Sequence, residues 1–83
     1  MISLVDLKNH GQIHIKLKEL LKDKEIKRNT LAKAIGTSFD VIDRWCTGSI
    51  DKIDTDILSK ICCVLECDLI DILEYRKDEK DDD

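Results

Sequence analysis

Arg28-Asn29-Thr30-Leu31-Ala32-Lys33-Ala34-Ile35-Gly36-Thr37-Ser38-Phe39-Asp40-Val41-Ile42-Asp43-Arg44-Trp45-Cys46-Thr47 is the stretch from which the architecture can be read. Leu31, Ala32 and Ile35 fall on one face at helical spacing, and Gly36 stands where a helix ends in the left-handed conformation. Thr37 and Ser38 then offer hydroxyls to cap a new helix. That second helix carries Phe39, Ile42 and Trp45 at i, i+3 and i+6, and Gly48 terminates it.

Two short helices that cross steeply need a small residue where their backbones approach, and Ala32 supplies it. The turn needs a residue that accepts positive φ, and Gly36 supplies that. The inner faces need apolar side chains from both sides: Leu31 and Ile35 from the first helix, Ile42 and Trp45 from the second. Together these positions describe a helix-turn-helix.

Working outward, Ile13, Leu17, Leu20 and Leu21 recur on one helical face and predict a helix over residues 14–24. Gln12-Ile13-His14-Ile15 also alternates polar and apolar as a short strand does, so a short N-terminal strand is held as a prefix to that helix. Downstream of a loop at 48–53, Asp54 or Thr55 caps a fourth helix with Ile57, Leu58, Ile61, Cys62 and Leu65 as its stripe. Asp68 and Asp71 open a fifth helix, expected to bury Leu69, Ile72 and Leu73 and to end near Tyr75. The fold class is therefore all-α, a compact five-helix bundle at residues 13–75. An N-terminal arm (1–12) precedes it, and a solvated, frayed acidic tail (76–83) follows.

Composition agrees. The 83 residues allow one domain; 42% are hydrophobic, none is proline and three are glycine, which suits helices joined by short turns. No apolar run approaches the roughly 18 residues that span a bilayer, and the first residues lack the basic, then apolar, pattern of a signal peptide. A cytoplasmic protein with reduced thiols is expected. Net charge is −4, unevenly spread: residues 1–50 hold nine Lys/Arg against six Asp/Glu, and residues 51–83 hold five against twelve. A basic front half lets a polyanion approach one face.

No enzyme is expected, because no nucleophile–base pair, glycine-rich phosphate loop or paired carboxylates stand out. Neither a cofactor nor a small-molecule ligand is implied. Cys62, Cys63 and Cys67 lack the doubled pairs of a zinc site and read as small buried hydrophobes. Cys46, at the end of its helix, reads as exposed and open to oxidation. His10 and His14 have a metal-compatible spacing but no third ligand, and read as part of a solvated arm.

Arg44-Trp45-Cys46-Thr47-Gly48, followed by Ile61-Cys62-Cys63-Val64-Leu65-Glu66-Cys67 and by Asp71-Ile72-Leu73-Glu74-Tyr75, resembles the Cro/repressor-like helix-turn-helix family. The members are also called xenobiotic-response-element-like regulators. The resemblance runs from about Ile13 to Tyr75 and is closest to a compact subgroup of bacterial and phage regulators. It implies a five-helix, lambda-repressor-like bundle whose second and third helices engage double-stranded DNA.

Carried onto this chain, the resemblance implies that the helix from Phe39 to Cys46 enters the major groove. The helical period turns Phe39, Asp40, Asp43 and Arg44 outward as base-reading candidates. Arg44 can give two hydrogen bonds to guanine, Phe39 can pack on a thymine methyl, and an aspartate can accept from cytosine N4. Asp40 has a competing role at the helix N-terminus, with Thr37, and Asp43 can instead pair with a neighbouring cation. Lys27, Arg28, Ser38 and Thr47 match phosphate-contacting positions.

The expected function is a sequence-specific transcriptional regulator acting as a homodimer on paired half-sites. Candidate dimer surfaces are the fifth helix with Tyr75, and the N-terminal arm pairing as a strand with residues near the C-terminus. The competing reading is a protein-interaction module on the same scaffold that has lost DNA binding. Asp40, Asp43 and the acidic back half favour it; Lys27, Arg28 and Arg44 oppose it.

Overall fold

The computed structural model describes residues 10–77. The acidic residues 78–83 and most of the expected arm lie outside the described residues. In chain order the elements are β1 (Gln12–Ile15), α1 (Leu17–Lys24), α2 (Arg28–Ile35), α3 (Phe39–Thr47), α4 (Thr55–Leu65), α5 (Leu69–Ile72) and β2 (Leu73–Arg76). Among the described residues, five helices surround one core, and β1 and β2 form a small antiparallel ribbon beside it.

The core is mainly leucine and isoleucine around one tryptophan. Leu17 and Leu21 come from α1, Leu31, Ala32 and Ile35 from α2, and Ile42, Trp45 and Cys46 from α3. Leu58, Ile61 and Leu65 of α4 and Ile72 of α5 complete it. α2 packs on both α3 and α4, and α1 on α3 and α5. Ala32 is 1% exposed, as its place at the α2–α3 crossing requires.

The helix ends follow the expected chemistry where glycine or an oxygen-bearing cap was available. Gly36 and Gly48 both sit at φ 77°. Ser38 Oγ accepts from Val41 N at 3.4 Å, and Asp54 Oδ1 accepts from Asp56 N at 2.9 Å to open α4. Two other ends are less legible. α1 and α4 stop on Glu25 and Glu66, non-glycine residues held at φ 58° and 51°. Tertiary packing has overridden the residue preference there.

The two ends of the bundle differ from the sequence expectation. The first helix begins at Leu17, not 14, and follows the short strand expected from the alternation of residues 12–15. The fifth helix is a single turn, and the chain is already extended at Leu73 (φ −119°, ψ 143°). Leu69 is half-exposed instead of buried. Of this helix only Ile72 is buried, so a longer helix would have had no apolar stripe to bury.

Pairing of the two segments satisfies their backbone groups instead. Gln12 faces Arg76, Ile13 faces Tyr75 and Ile15 faces Leu73. Lys16 N–H donates to Ile72 O at 2.6 Å, so the end of α5 receives the first amide before α1. Ile15 and Leu73 pack on the core, while Ile13 and Tyr75 overhang it in solvent. Tyr75 Oη accepts from Gly11 N at 2.8 Å.

Gly11 is the tightest point of the ribbon. A Cβ there would stand 2.1 Å from Arg76 O, a backbone atom that cannot swing away. Gly11→Ala is therefore expected to cost about 1–3 kcal/mol, read as a lower midpoint in thermal or urea unfolding. In the opposite direction, Glu25→Gly removes a left-handed penalty but loosens the unfolded chain. The net gain expected is about 0.5 kcal/mol, read as a small rise in the same midpoint.

Candidate nucleic-acid interface

The α2–α3 corner fixes which way α3 faces. Ile42 is fully buried and Trp45 is 2% exposed, which turns the opposite side of the helix outward. At about 100° per residue, Asp43, Thr47 and Asp40 occupy the middle of that outer side. Phe39 and Arg44 flank it, about 140° apart. All but half-buried Asp43 are exposed.

Cys46 falls between Ile42 and Phe39 on this wheel and is 6% exposed. The expectation of an exposed, oxidation-prone thiol is therefore wrong. Being last in the helix was a poorer guide than its angle about the axis. Burial pushes this thiol above its ordinary range, which disfavours the reactive thiolate.

The corner joins the predicted residues into two flanks. On one, Phe39 lines a cleft of about 510 Å³ with Leu21 and Ile26 as apolar wall. Lys18, Lys22, Lys27 and Arg28 rim this cleft. On the other, Arg44 shares a cleft with Ser49, Asp51 and Lys52 beyond the end of α3. Lys18, Lys22 and Lys52 were not singled out from the sequence as site residues. Their positions depend on how α1 and the 48–53 loop lie against α3, which no local pattern encodes.

Asp43 is engaged. Its Oδ1 accepts from Arg28 Nη1 at 2.5 Å, across the corner from α3 to the first residue of α2. The carboxylate that would face DNA thus compensates a neighbouring guanidinium, and Arg28's other N–H groups stay available. Asp40 forms no ion pair among the described residues and lies in the first turn of α3, where the helix dipole favours an acid.

Ser38 and Thr47 stand at the two ends of α3. The Ser38 hydroxyl caps the helix weakly, at 3.4 Å. Thr47 Oγ1 donates to Arg44 O at 3.2 Å and lies 3.0 Å from Ser49 Oγ. Both residues are exposed, and each oxygen keeps capacity for another partner.

Among the described residues, no group of three His, Cys, Asp or Glu could hold a metal ion. His14 lies on β1, so the helical spacing from His10 does not apply. Cys62 and Cys67 are half-buried and Cys63 is exposed, so the three do not share a buried environment as expected. No helix of the described residues is long and apolar enough to cross a membrane.

These features define a helix-turn-helix domain with an exposed second helix, flanked on its Phe39 side by cations and on its Arg44 side by a cleft of mixed charge. Residues 16–78 match the Cro/C1-type helix-turn-helix DNA-binding domain, and the chain belongs to that family. It is similar to the crystal structure of a candidate DNA-binding protein from Bacteroides fragilis. That match has 25% identity and a TM-score of 0.68, covering 76% of this chain and all of that one. It is also similar to the transcriptional regulator VanUg, at 27% identity and a TM-score of 0.67, covering 93% of this chain and 99% of that one. No curated protein matches the chain.

The Arg28–Asp43 pair is 31% and 39% exposed, so solvent screens it. A double-mutant cycle with Arg28→Ala and Asp43→Ala is expected to give a coupling of about 0.5–1 kcal/mol. The coupling should shrink as salt is raised.

Proposed function

We propose that this protein is a sequence-specific transcriptional regulator that docks α3 in the major groove of double-stranded DNA. The observation that carries the proposal is the locked corner. Ile42 and Trp45 are anchored in the core, and their helix presents Phe39, Asp40, Asp43, Arg44 and Thr47 as one face.

Within that reading the residues divide by chemistry. Arg44, on one edge, takes the guanine O6 and N7 acceptors with its planar fork. Phe39, on the other edge, packs against a thymine methyl, and Asp40 accepts from cytosine N4. Asp43 acts chiefly through Arg28, which it orients toward the backbone. Lys27, Arg28, Ser38 and Thr47 contact phosphates and set register. Lys18 and Lys22 extend the attraction along the strand.

One helix of this length reads few base pairs, so we also propose a homodimer on paired half-sites. The similarity to VanUg, named as a transcriptional regulator, supports the regulatory role. Such a protein acts in the cytoplasm of a bacterial cell, where DNA is directly accessible. The second reading, a protein-interaction module, draws on Asp40 and Asp43 occupying the middle of the face.

A binding selection from random duplex DNA at two salt concentrations separates the two. Enrichment of a short motif, palindromic if the protein pairs, with affinity falling as salt rises, is expected. No enrichment at low salt would favour the interaction module. On the selected operator, Arg44→Ala should relax preference at one base pair by about 1–3 kcal/mol. Lys27→Ala should weaken all sequences alike and reduce the salt slope by about 1. Wild-type behaviour from both variants would overturn the docking geometry.

A further inference from the structure

The C-terminal turn of α4 brings two cysteines together. With Glu66 in the left-handed conformation, Cys67 N–H donates back to Cys62 O at 3.1 Å and Glu66 N–H to Cys63 O at 3.3 Å. In this termination the side chains three residues before the left-handed position's predecessor and one after it meet as an apolar contact. Here both are cysteines, placed side by side by the turn. Both are half-buried against the edge of the core; neighbouring Cys63 is exposed and Cys46 is buried.

The backbone bond limits the separation. Adding the carbonyl and amide geometry to a 3.1 Å N···O distance puts the two Cα atoms at most about 7 Å apart. Disulfides bridge Cα atoms roughly 4.4–6.8 Å apart. The bound overlaps that range, which leaves a bridge between the two open through side-chain rotation at the end of the helix.

We propose that Cys62 and Cys67 form a reversible intramolecular disulfide by exchange with a low-molecular-weight disulfide. The Cys62 thiolate attacks one sulfur of the small disulfide, breaks its S–S bond and releases one small thiolate. The Cys67 thiolate then attacks the Cys62 sulfur of the mixed disulfide and releases the second. The protein thiols give up two protons and two electrons, and the small disulfide becomes two thiols. Burial, with Cys62 beside it, pushes the Cys67 thiol above its ordinary range and lowers its thiolate fraction, so the second attack relies on the closeness of the two residues in the turn.

The test is incubation of the full chain with glutathione disulfide, followed by intact mass and a non-reduced peptide map. The expected result is the loss of two hydrogens with a Cys62–Cys67 link, in wild type and in Cys63→Ser. Cys62→Ser and Cys67→Ser should yield only glutathione adducts. Closing this short loop should also raise Tm by roughly 5 °C, reversed by a thiol reductant. Glutathione adducts without the internal link in wild type, a link through Cys63, or no reaction would each overturn the proposal.

Discussion

The packing of Ile42 and Trp45 beneath Leu31, Ala32 and Ile35 is the contact on which the functional surface depends. A helix of nine residues is too short to hold itself in water. α3 exists because its inner face is buried, and that burial leaves no freedom about its own axis. Ala32 matters because any larger side chain at 1% exposure would push the helices apart and tilt α3. The outer face is thus set by the same contacts that stabilise the fold.

The ribbon plays a different part. Its first strand shares a cleft with Cys46, Thr47 and Gly48 at the end of α3, and it joins the two ends of the described chain, with Gln12 opposite Arg76 and Lys16 bonded to Ile72. A two-stranded ribbon is marginal alone. Ile15 and Leu73 therefore seat it on the core, while Tyr75 closes over the Gly11 amide. The arrangement stabilises α1, and α1 in turn packs on α3.

Legibility in the sequence followed the range of the deciding interaction. The central helices, their glycine ends, the Ser38 and Asp54 caps and most of the core were readable, because periodicity and local hydrogen bonding decide them. The short fifth helix was not. Asp68 and Asp71 do announce a helix, and Asp71 Oδ2 accepts from Asp68 N at 2.9 Å. What ends it is a partner strand more than fifty positions earlier in the chain. Glu25 and Glu66 as helix terminators were invisible for a similar reason, since nothing local favours glutamate there. At the site, the outward face of α3 could be derived, but the Arg28–Asp43 pair was only one of two alternatives. The cationic flank from α1 needed the tertiary arrangement.

Charge is distributed accordingly. Lys18, Lys22, Lys27 and Arg28 gather on one side of α3, and the acidic excess belongs to residues beyond 50. A molecule with net charge −4 can therefore present one attractive side to a polyanion and steer its orientation at low salt. In the proposed function this side, with α3 at its centre, is what meets DNA. Amide chemical-shift mapping on addition of a selected operator duplex tests it most directly. The largest changes are expected over Lys27, Arg28 and residues 38–47, with smaller ones at Lys18 and Lys22, all weakening with salt. Changes centred on the β1–β2 ribbon or on α4 and α5, with α3 silent, would contradict it.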